Sequence, residues 1–243
     1  MLKIEKLSVS RNGRKIVDGL DLTVGDGETH VVMGPNGSGK TTLGYAIMGH
    51  PGYECAGKII LNGENLAGMP ANERARRGVF LAFQNPAQID GVSLIGLMRK
   101  ARRAKGGNED LGRFSEEMKE GAKRTGFQES MLSRDLNAGL SGGERKKSEV
   151  LQMLALAPKL AILDEIDAGL DVDALRTVAK AIKEAGKKGL SLLVITHHAN
   201  LLKYLKPDCV HIMLDGRITR TENGKFAKEI EKKGYEWLRE KDD

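Results

Sequence analysis

Gly34-Pro-Asn-Gly37-Ser-Gly39-Lys40-Thr41 follows directly on the apolar run Thr29-His-Val-Val-Met33. The spacing is G-x-x-x-x-G-K-[ST], and it needs a strand before it and a helix after it. The run 29–33 reads as the strand, and Lys40 to about Met48 as the helix. Glycines let backbone N–H groups turn inward and approach phosphate oxygens. The helix start adds partial positive charge. Lys40 is placed to reach the β- and γ-phosphates, and Thr41 to offer a hydroxyl to Mg²⁺. Gly34, Pro35, Asn36, Gly37, Ser38, Gly39, Lys40, Thr41 and Thr42 are therefore the candidate loop for ATP.

Outward from this loop, residues 3–10 and Leu20–Val24 read as strands joined through an Arg11–Lys15 turn region. Lys58–Leu61 is a strand closed by Asn62-Gly63, and Gly78–Phe83 a strand followed by Gln84. Val92 to about Asn137 is charged and helical, broken at Gly106-Gly107, and reads as an embedded subdomain. Glu144–Leu156 and Ala174–Ala185 read as helices, Leu160–Leu163 and Leu192–Ile195 as buried strands. A hairpin pairs Val210–Leu214 with Arg217–Arg220 around Asp215-Gly216, and Phe226 to Trp237 reads as one amphipathic helix. Strands alternating with helices predict an α/β fold with a mostly parallel sheet covered on both faces.

The 243 residues fit one large domain with embedded subdomains. A net charge of +6 reads mainly as a solvated surface, and 4% aromatic content argues against base-stacking nucleic-acid binding. No run approaches the roughly 18 apolar residues a membrane span needs. The start MLKIEKLSVS alternates like a strand and has no signal-peptide core. These features lead us to expect a cytoplasmic protein that neither inserts in a membrane nor binds nucleic acid. Cys55 and Cys209 are far apart, so reduced thiols are expected.

Leu160-Ala-Ile-Leu-Asp164-Glu165 is a buried strand ending in two carboxylates. Asp164 can hold Mg²⁺ directly or through water, and Glu165 can orient and polarise the attacking water. Leu140-Ser141-Gly142-Gly143-Glu144 precedes a helix. Ser141 and Glu144 form a capping-box pattern, and the two glycines at a helix start also make an anion site. Gln84 ends a strand, where its amide can contact Mg²⁺ or the water. His197 and His198 end another, where one can hydrogen-bond the γ-phosphate.

This order of motifs resembles the nucleotide-binding domains of ATP-binding-cassette proteins over essentially the whole chain. GPNGSGKT is similar to Walker A, Gln84 to the Q-loop, and LSGGE to the family signature. LAILDE is similar to Walker B, Ala168–Asp171 to the D-loop, and Thr196-His197 to the switch histidine, which selects His197 over His198. The resemblance implies one cassette domain over 1–243: a P-loop NTPase core, an N-terminal antiparallel β subdomain, and a helical subdomain at about 86–150. It implies ATP hydrolysis with Glu165, His197 and Lys40 catalytic, Ser141, Gly142 and Gly143 on ATP, and Thr41, Gln84 and Asp164 at Mg²⁺. It also implies a transient ATP-dependent homodimer packed head to tail. The adenine-stacking aromatic common in the family is missing from Ser8–Lys15, and Ile166-Asp167 replaces the Pro-Thr frequent in transporter ATPases.

Gly49–Glu54, Phe80–Pro86 with Gly91-Val92-Ser93, and Leu163–Leu175 resemble the SufC-type branch, the ATPases of iron–sulfur cluster assembly. So do Lys206-Pro207-Asp208 and the tail Glu231–Trp237. Cys209 and Asn85 stand where that branch favours tyrosine. This resemblance implies SufB/SufD-type scaffold subunits as partners, docking at about Gln84 to Met98; the alternative is the cytosolic ATPase subunit of a membrane transporter. The phosphate-loop reading predicts that Lys40→Ala loses nucleotide affinity, as measured by equilibrium titration with Mg-ATP.

Overall fold

The computed structural model describes residues 1–107, 110–197 and 200–239. The chain opens with two antiparallel strands, β1 (Leu2–Arg11) and β2 (Arg14–Val24), joined by a tight turn at Asn12-Gly13. Both strands are longer than predicted, because cross-strand pairing continues through the polar residues beside the turn. β3 (Thr29–Met33) leads into the Gly-rich loop and α1 (Lys40–Met48), at the predicted boundaries. β4 (Glu54–Leu61) and β5 (Glu64–Asn65) return to the first sheet, whose order is β2-β1-β4-β5.

α2 (Ala71–Arg77) then feeds β6 (Val79–Ala82). The segment predicted as helical begins instead with β7 (Ile89–Ser93). The helices α3 (Leu94–Ala104) and α4 (Leu111–Thr125) follow, and β8 (Asp135–Leu136) pairs back onto β7. α3 and α4 start where Ser93 and Asp110 accept backbone N–H groups, the usual work of N-cap side chains. α5 (Gly142–Leu156) packs Leu151 among Leu94, Met98, Phe114 and Met118, giving these helices an apolar cluster of their own.

The rest of the chain runs β9 (Leu160–Asp164), α6 (Val172–Gly186), β10 (Ser191–Ile195), α7 (Leu202–Leu205), and the hairpin β11 (Cys209–Leu214) and β12 (Arg217–Asn223). The main sheet has the order β12-β11-β3-β10-β9-β6. Only the edge strand β12 pairs antiparallel; the other pairings in this sheet are parallel. Alternation along the strands sorts the core. Val31, Ala161, Leu163, Leu192 and Val194 face a cluster containing Val178 and Ile182 of α6. Val32, Ile162, Leu193 and Ile195 face Leu43 and Ile47 of α1 and the side chains of the first sheet.

The predicted single tail helix is broken. α8 (Ala227–Lys233) stops at Gly234, and α9 (Glu236–Arg239) starts in a new direction. Gly234 has φ 69° and ψ −159°, a conformation open to glycine and costly for other residues. Helical periodicity alone does not register this turn.

Two buried polar contacts brace the strand and helix on either side of the Gly-rich loop. On β3, His30 Nδ1 lies 2.9 Å from His211 Nε2, and His30 Nε2 lies 2.9 Å from a Glu28 carboxylate oxygen. Burial, then His30, holds the His211 pKa down to about 4, so its ring is neutral near pH 7. At the far end of α1, buried Arg74 donates Nη1 to the carbonyls of Ala46 (2.8 Å) and Ile47 (3.0 Å), and Nε to Met69 (2.9 Å). Ala46 and Ile47 lie in the last turn of α1, where a cation also opposes the helix dipole. Ala46 also accepts the Gly49 N–H at 3.2 Å, so Arg74→Ala would take the donor chiefly from the buried Ile47 carbonyl. We expect a loss of about 1–3 kcal/mol, read by urea denaturation.

Candidate functional site

Parallel register sets the site. Ile195 pairs with Val32 and Asp164, and Ala82 with Leu163. The first residues beyond these strands therefore emerge at one edge of the sheet: Gly34, Phe83-Gln84, Glu165 and Thr196-His197. The carboxyl ends of parallel strands are where open α/β sheets bind ligands.

Gly34 begins the loop. A Cβ built there would lie 2.1 Å from the Met213 carbonyl oxygen, so only glycine lets β11 approach this closely. Gly37 and Gly39 have φ of 81° and 104°. Lys40 Nζ donates to the carbonyls of Gly34 and Pro35, both at 2.8 Å, folding the side chain over its own loop. Burial lowers the Lys40 pKa, against the opposing pull of Glu165 and Asp164. Gly44 lets α1 sit low on the sheet: a Cβ there would meet Ile195 at 3.3 Å and Ile162 at 3.4 Å.

Asp164 is buried at the end of β9. Burial raises its pKa to about 6, with the Thr41 hydroxyl and the Lys146 and Lys40 charges pulling down and the Glu165 charge pushing up. Its Oδ1 is buried with no hydrogen-bond partner among the described residues. Glu165 has φ 47°, an uncommon conformation for a side-chain-bearing residue outside glycine and asparagine. The kink lets its N–H donate to the Ile195 carbonyl while the side chain turns into the site. There Gln84 Nε2 donates to Oε2 at 2.5 Å, and His197 Nδ1 lies 3.1 Å from Oε1. Ile166 points the other way, fully buried in the main core, and Asp167 accepts from Thr196 Oγ1 at 3.2 Å. The loop after Glu165 is thus held without the Pro-Thr pair.

A chamber of about 390 Å³ is lined by Asn36, Gly37, Lys40, Thr41, Gln84, Glu165 and His197, with Ile16 of β2 and Thr42 also on its wall. Ile16 was not singled out in the sequence; no motif marks it, and only the return of β2 over the loop brings it there. His198 lies outside the described residues.

Ser141, Gly142 and Gly143 do not line this chamber. Ser141 caps α5: its N–H donates to Glu144 (2.8 Å), its hydroxyl donates to the same carboxylate oxygen (2.7 Å), and Glu144 N–H donates back to Ser141 Oγ (3.3 Å). These bonds, the hydroxyl first, lower the Glu144 pKa. Ser141 and Gly142 are exposed. Gly142 borders a second, smaller depression of about 180 Å³, which shares Gln84 and Glu165 with the chamber.

Of the apolar residues between Gln84 and Met98, Leu94 and Met98 are buried in the helical cluster, and Ile95 and Leu97 pack against it. Ile89 (44%) and the neighbouring Phe83 (39%) are exposed. Phe83 borders an apolar groove of about 340 Å³ that also touches Met48, Ala75, Phe80, Ala101 and Leu156. At its floor, Glu149 accepts from the Phe83 N–H at 2.9 Å, and burial raises its pKa to about 7.

A Gly-rich loop between a parallel strand and a helix, with a carboxylate pair at the end of β9, one strand removed from β3, defines a P-loop NTPase fold. Solved structures share the fold. A dimeric ATP-binding cassette in a post-hydrolysis state, bound to ADP and Pi, matches with TM-score 0.80 over 92% of this chain and 98% of its own, at 20% identity. The ATP-binding subunit of an ABC transporter matches with TM-score 0.80 over 96% and 95%, at 24% identity. Residues 17–168 match the ABC transporter family. Vegetative protein 296 of Bacillus subtilis is 43% identical over 98% of this chain and 93% of its own. A probable ABC transporter ATP-binding protein of Streptococcus pyogenes serotype M18 is 45% identical over 97% and 93%. The probable ATP-dependent transporter ycf16 of Cyanophora paradoxa is 45% identical over 99% and 95%. The chain belongs to the ABC transporter ATPase family and is an ATP hydrolase of that type.

Because β11 presses on the loop at Gly34, Gly34→Ala must displace the Met213 carbonyl or the loop. We expect destabilisation of about 1–3 kcal/mol and a marked loss of ATP affinity, read by thermal melts with and without Mg-ATP.

Proposed function

We propose that two copies of this ATPase close head to tail around two ATP molecules, each held by the phosphate loop of one chain and capped by Ser141–Gly143 of the other. The observation that carries this reading is the separation within one chain. Ser141 and Gly142 are exposed at the N-terminus of α5, outside the chamber that gathers Lys40, Glu165 and His197. Gly142 and Gly143 begin a 15-residue helix whose first N–H groups suit a phosphate. The nucleotide then bridges two helix N-termini, so the triphosphate favours the closed pair and the diphosphate does not. The dimeric ADP- and Pi-bound cassette is consistent with this arrangement. In our reading, residues 86–150 form the helical subdomain that presents the capping turn within a single 1–243 domain.

Within each chamber, Lys40 and the loop amides hold the phosphates, with Gly34–Thr42 as the cradle. Glu165 acts as the base that orients the attacking water, and its contacts with Gln84 and His197 aim its carboxylate. His197 takes the γ-phosphate side. The donor set fits Mg²⁺. Asp164 Oδ1 is buried and unpartnered, and the carboxylate is held beside the Thr41 hydroxyl. Thr41, Gln84 and Asp164 would hold the ion, which when bound neutralises charge on the β- and γ-phosphates. Ile16 supplies the apolar contact for the base in place of a stacked aromatic.

The work done lies on a partner chain. The names of the relatives support an ATP-binding subunit of an ABC transporter, placed on the cytoplasmic side with its membrane span on another chain. Among the described residues no helix is long and apolar enough to cross a membrane. A second reading, iron–sulfur cluster assembly on SufB/SufD-type scaffold subunits, is favoured by Gly49–Glu54, Phe80–Pro86 and Leu163–Leu175. In either case the exposed Phe83 and Ile89 give a partner apolar contact beside Gln84, which touches the base. Affinity capture from the source cell separates the two. An integral membrane protein supports transport, and scaffold subunits without one support cluster assembly.

Glu165→Gln keeps the phosphate loop and removes the base. We expect ATP binding within a few-fold of wild type and hydrolysis reduced by about 10²-fold or more. The variant should also shift to a dimer on size exclusion in saturating Mg-ATP. A monomer under those conditions would refute the paired model.

A further inference from the structure

Two of the strand ends at the site stay in the backbone ladder, and that of β6 does not. Glu165 N–H donates to the Ile195 carbonyl at 2.9 Å, and Thr196 N–H to the Val32 carbonyl at 3.3 Å, just past β9 and β10. β6 is an edge strand, and its pairing with β9 stops at Ala82 and Leu163. Among the described residues no backbone group pairs with the Phe83 N–H or with the carbonyls of Phe83 and Gln84. Side chains of α5 do so instead. Glu149 Oε2 accepts the Phe83 N–H at 2.9 Å, and Lys146 Nζ donates to the Phe83 and Gln84 carbonyls at 3.0 and 2.7 Å. From this same segment Gln84 Nε2 donates to Glu165 Oε2 at 2.5 Å.

Lys146 and Glu149 are each only 4% exposed, and their spacing puts them on one face of α5. The fold gains little from them. A buried cation and carboxylate lose hydration that their attraction only partly offsets, and an apolar pair of similar size commonly packs as well. Elsewhere on α5 the buried residues Val150, Leu151 and Met153 are apolar. What the buried charges supply is a fixed backbone: the polar groups of an edge segment each find a partner. Gly142, one turn earlier on the same face, lines the smaller depression together with Lys146, Gln84 and Glu165.

We propose that Lys146 and Glu149 are positioning residues for hydrolysis: by fixing the Phe83–Gln84 backbone they hold the Gln84 amide, and through it the Glu165 carboxylate, in the geometry for attack by water. The proposal rests on the reading of Glu165 as the base. Neither side chain is on the wall of the chamber that takes ATP, so nucleotide binding and turnover should separate. A misplacement on the order of 1 Å at a reacting group costs about a hundredfold in rate, and without these side chains the segment past Ala82 loses its bonds to α5.

Lys146→Met in the full chain keeps the length of the stem and removes the donor, and Glu149→Leu removes the acceptor. For each we expect kcat for Mg-ATP hydrolysis to fall about ten- to a hundredfold, with the dissociation constant for Mg-ATP within about threefold of wild type. Glu149→Gln, whose amide oxygen can still accept the Phe83 N–H, should keep kcat within about threefold. The effect must pass through Gln84. In a Gln84→Ala background, which has already lost the contact with Glu165, Lys146→Met should lower kcat further by less than about twofold. Losses that multiply in that double variant would overturn the proposal. So would wild-type kcat in Lys146→Met and Glu149→Leu, or a Glu149→Gln variant as slow as Glu149→Leu. A fall in kcat matched by an equal rise in the dissociation constant would overturn it too, since that marks a site loosened as a whole. If a single variant does not fold, K146M/E149Q, which removes both buried charges together, takes its place with the same expected loss of kcat. Glu165→Gln serves as the control. If it abolishes hydrolysis while the α5 variants turn over as wild type, only this proposal fails. If it hydrolyses ATP normally, the base reading fails and this proposal with it.

Discussion

Backbone pairing between β3, β10, β9 and β6 holds four strand ends at one level, and everything chemical in this protein hangs from those ends. The strands are buried on both faces and paired on both sides through the middle of the sheet, so their register cannot slip without moving whole apolar sets. Gly34, Gln84, Glu165 and His197 are far apart in the chain, yet each lies just past a strand that the sheet aligns. Rigid strands also let each side chain be aimed by its neighbours: Glu165 by Gln84 and His197, Asp167 by Thr196.

The electrostatics follow from burying charge at that edge. Asp164 and Glu149 are both pushed up by burial, to about 6 and about 7, and Lys40 and Lys146 are both pushed down by burial. Opposite charges in a poorly solvated pocket offset part of each other's desolvation cost. Lys146 donates to the carbonyls of Phe83 and Gln84, at 3.0 and 2.7 Å, and Glu149 accepts from the Phe83 N–H. The chain around Gln84 is thereby tied to α5, the helix whose first turn is Ser141–Gly143. The apolar groove beside Phe83 and the carboxylate of Glu165 are thus connected through one short backbone segment. On the proposed function, that segment is the route from a partner bound beside Phe83 to a nucleotide in the chamber.

Much of this architecture was legible in the residues themselves. The boundaries of β3 and α1 follow from an apolar run, a glycine loop and Lys-Thr, because local sterics and phosphate chemistry both demand that order. Buried strands such as 160–163 and 192–195 are legible because parallel strands covered on both faces are continuously apolar. The candidate loop and the strand-end polar residues were readable for the same reason: a charged group closing an apolar run has few structural uses. β7, β8 and α2 were not legible. They are short, polar, and stabilised by a neighbour rather than by their own periodicity.

The sequence by itself determined the central strands and the longer helices, and it marked the residues proposed for phosphate and acid–base chemistry, since both follow from local composition and spacing. Only the tertiary structure decided what those residues touch. It placed Arg74 on the carbonyls of α1, Ile16 on the chamber wall, and Ser141–Gly143 away from the chamber of their own chain. Each of these depends on how distant elements pack, and a contact between residues 46 and 74 leaves no periodic trace in the sequence between them.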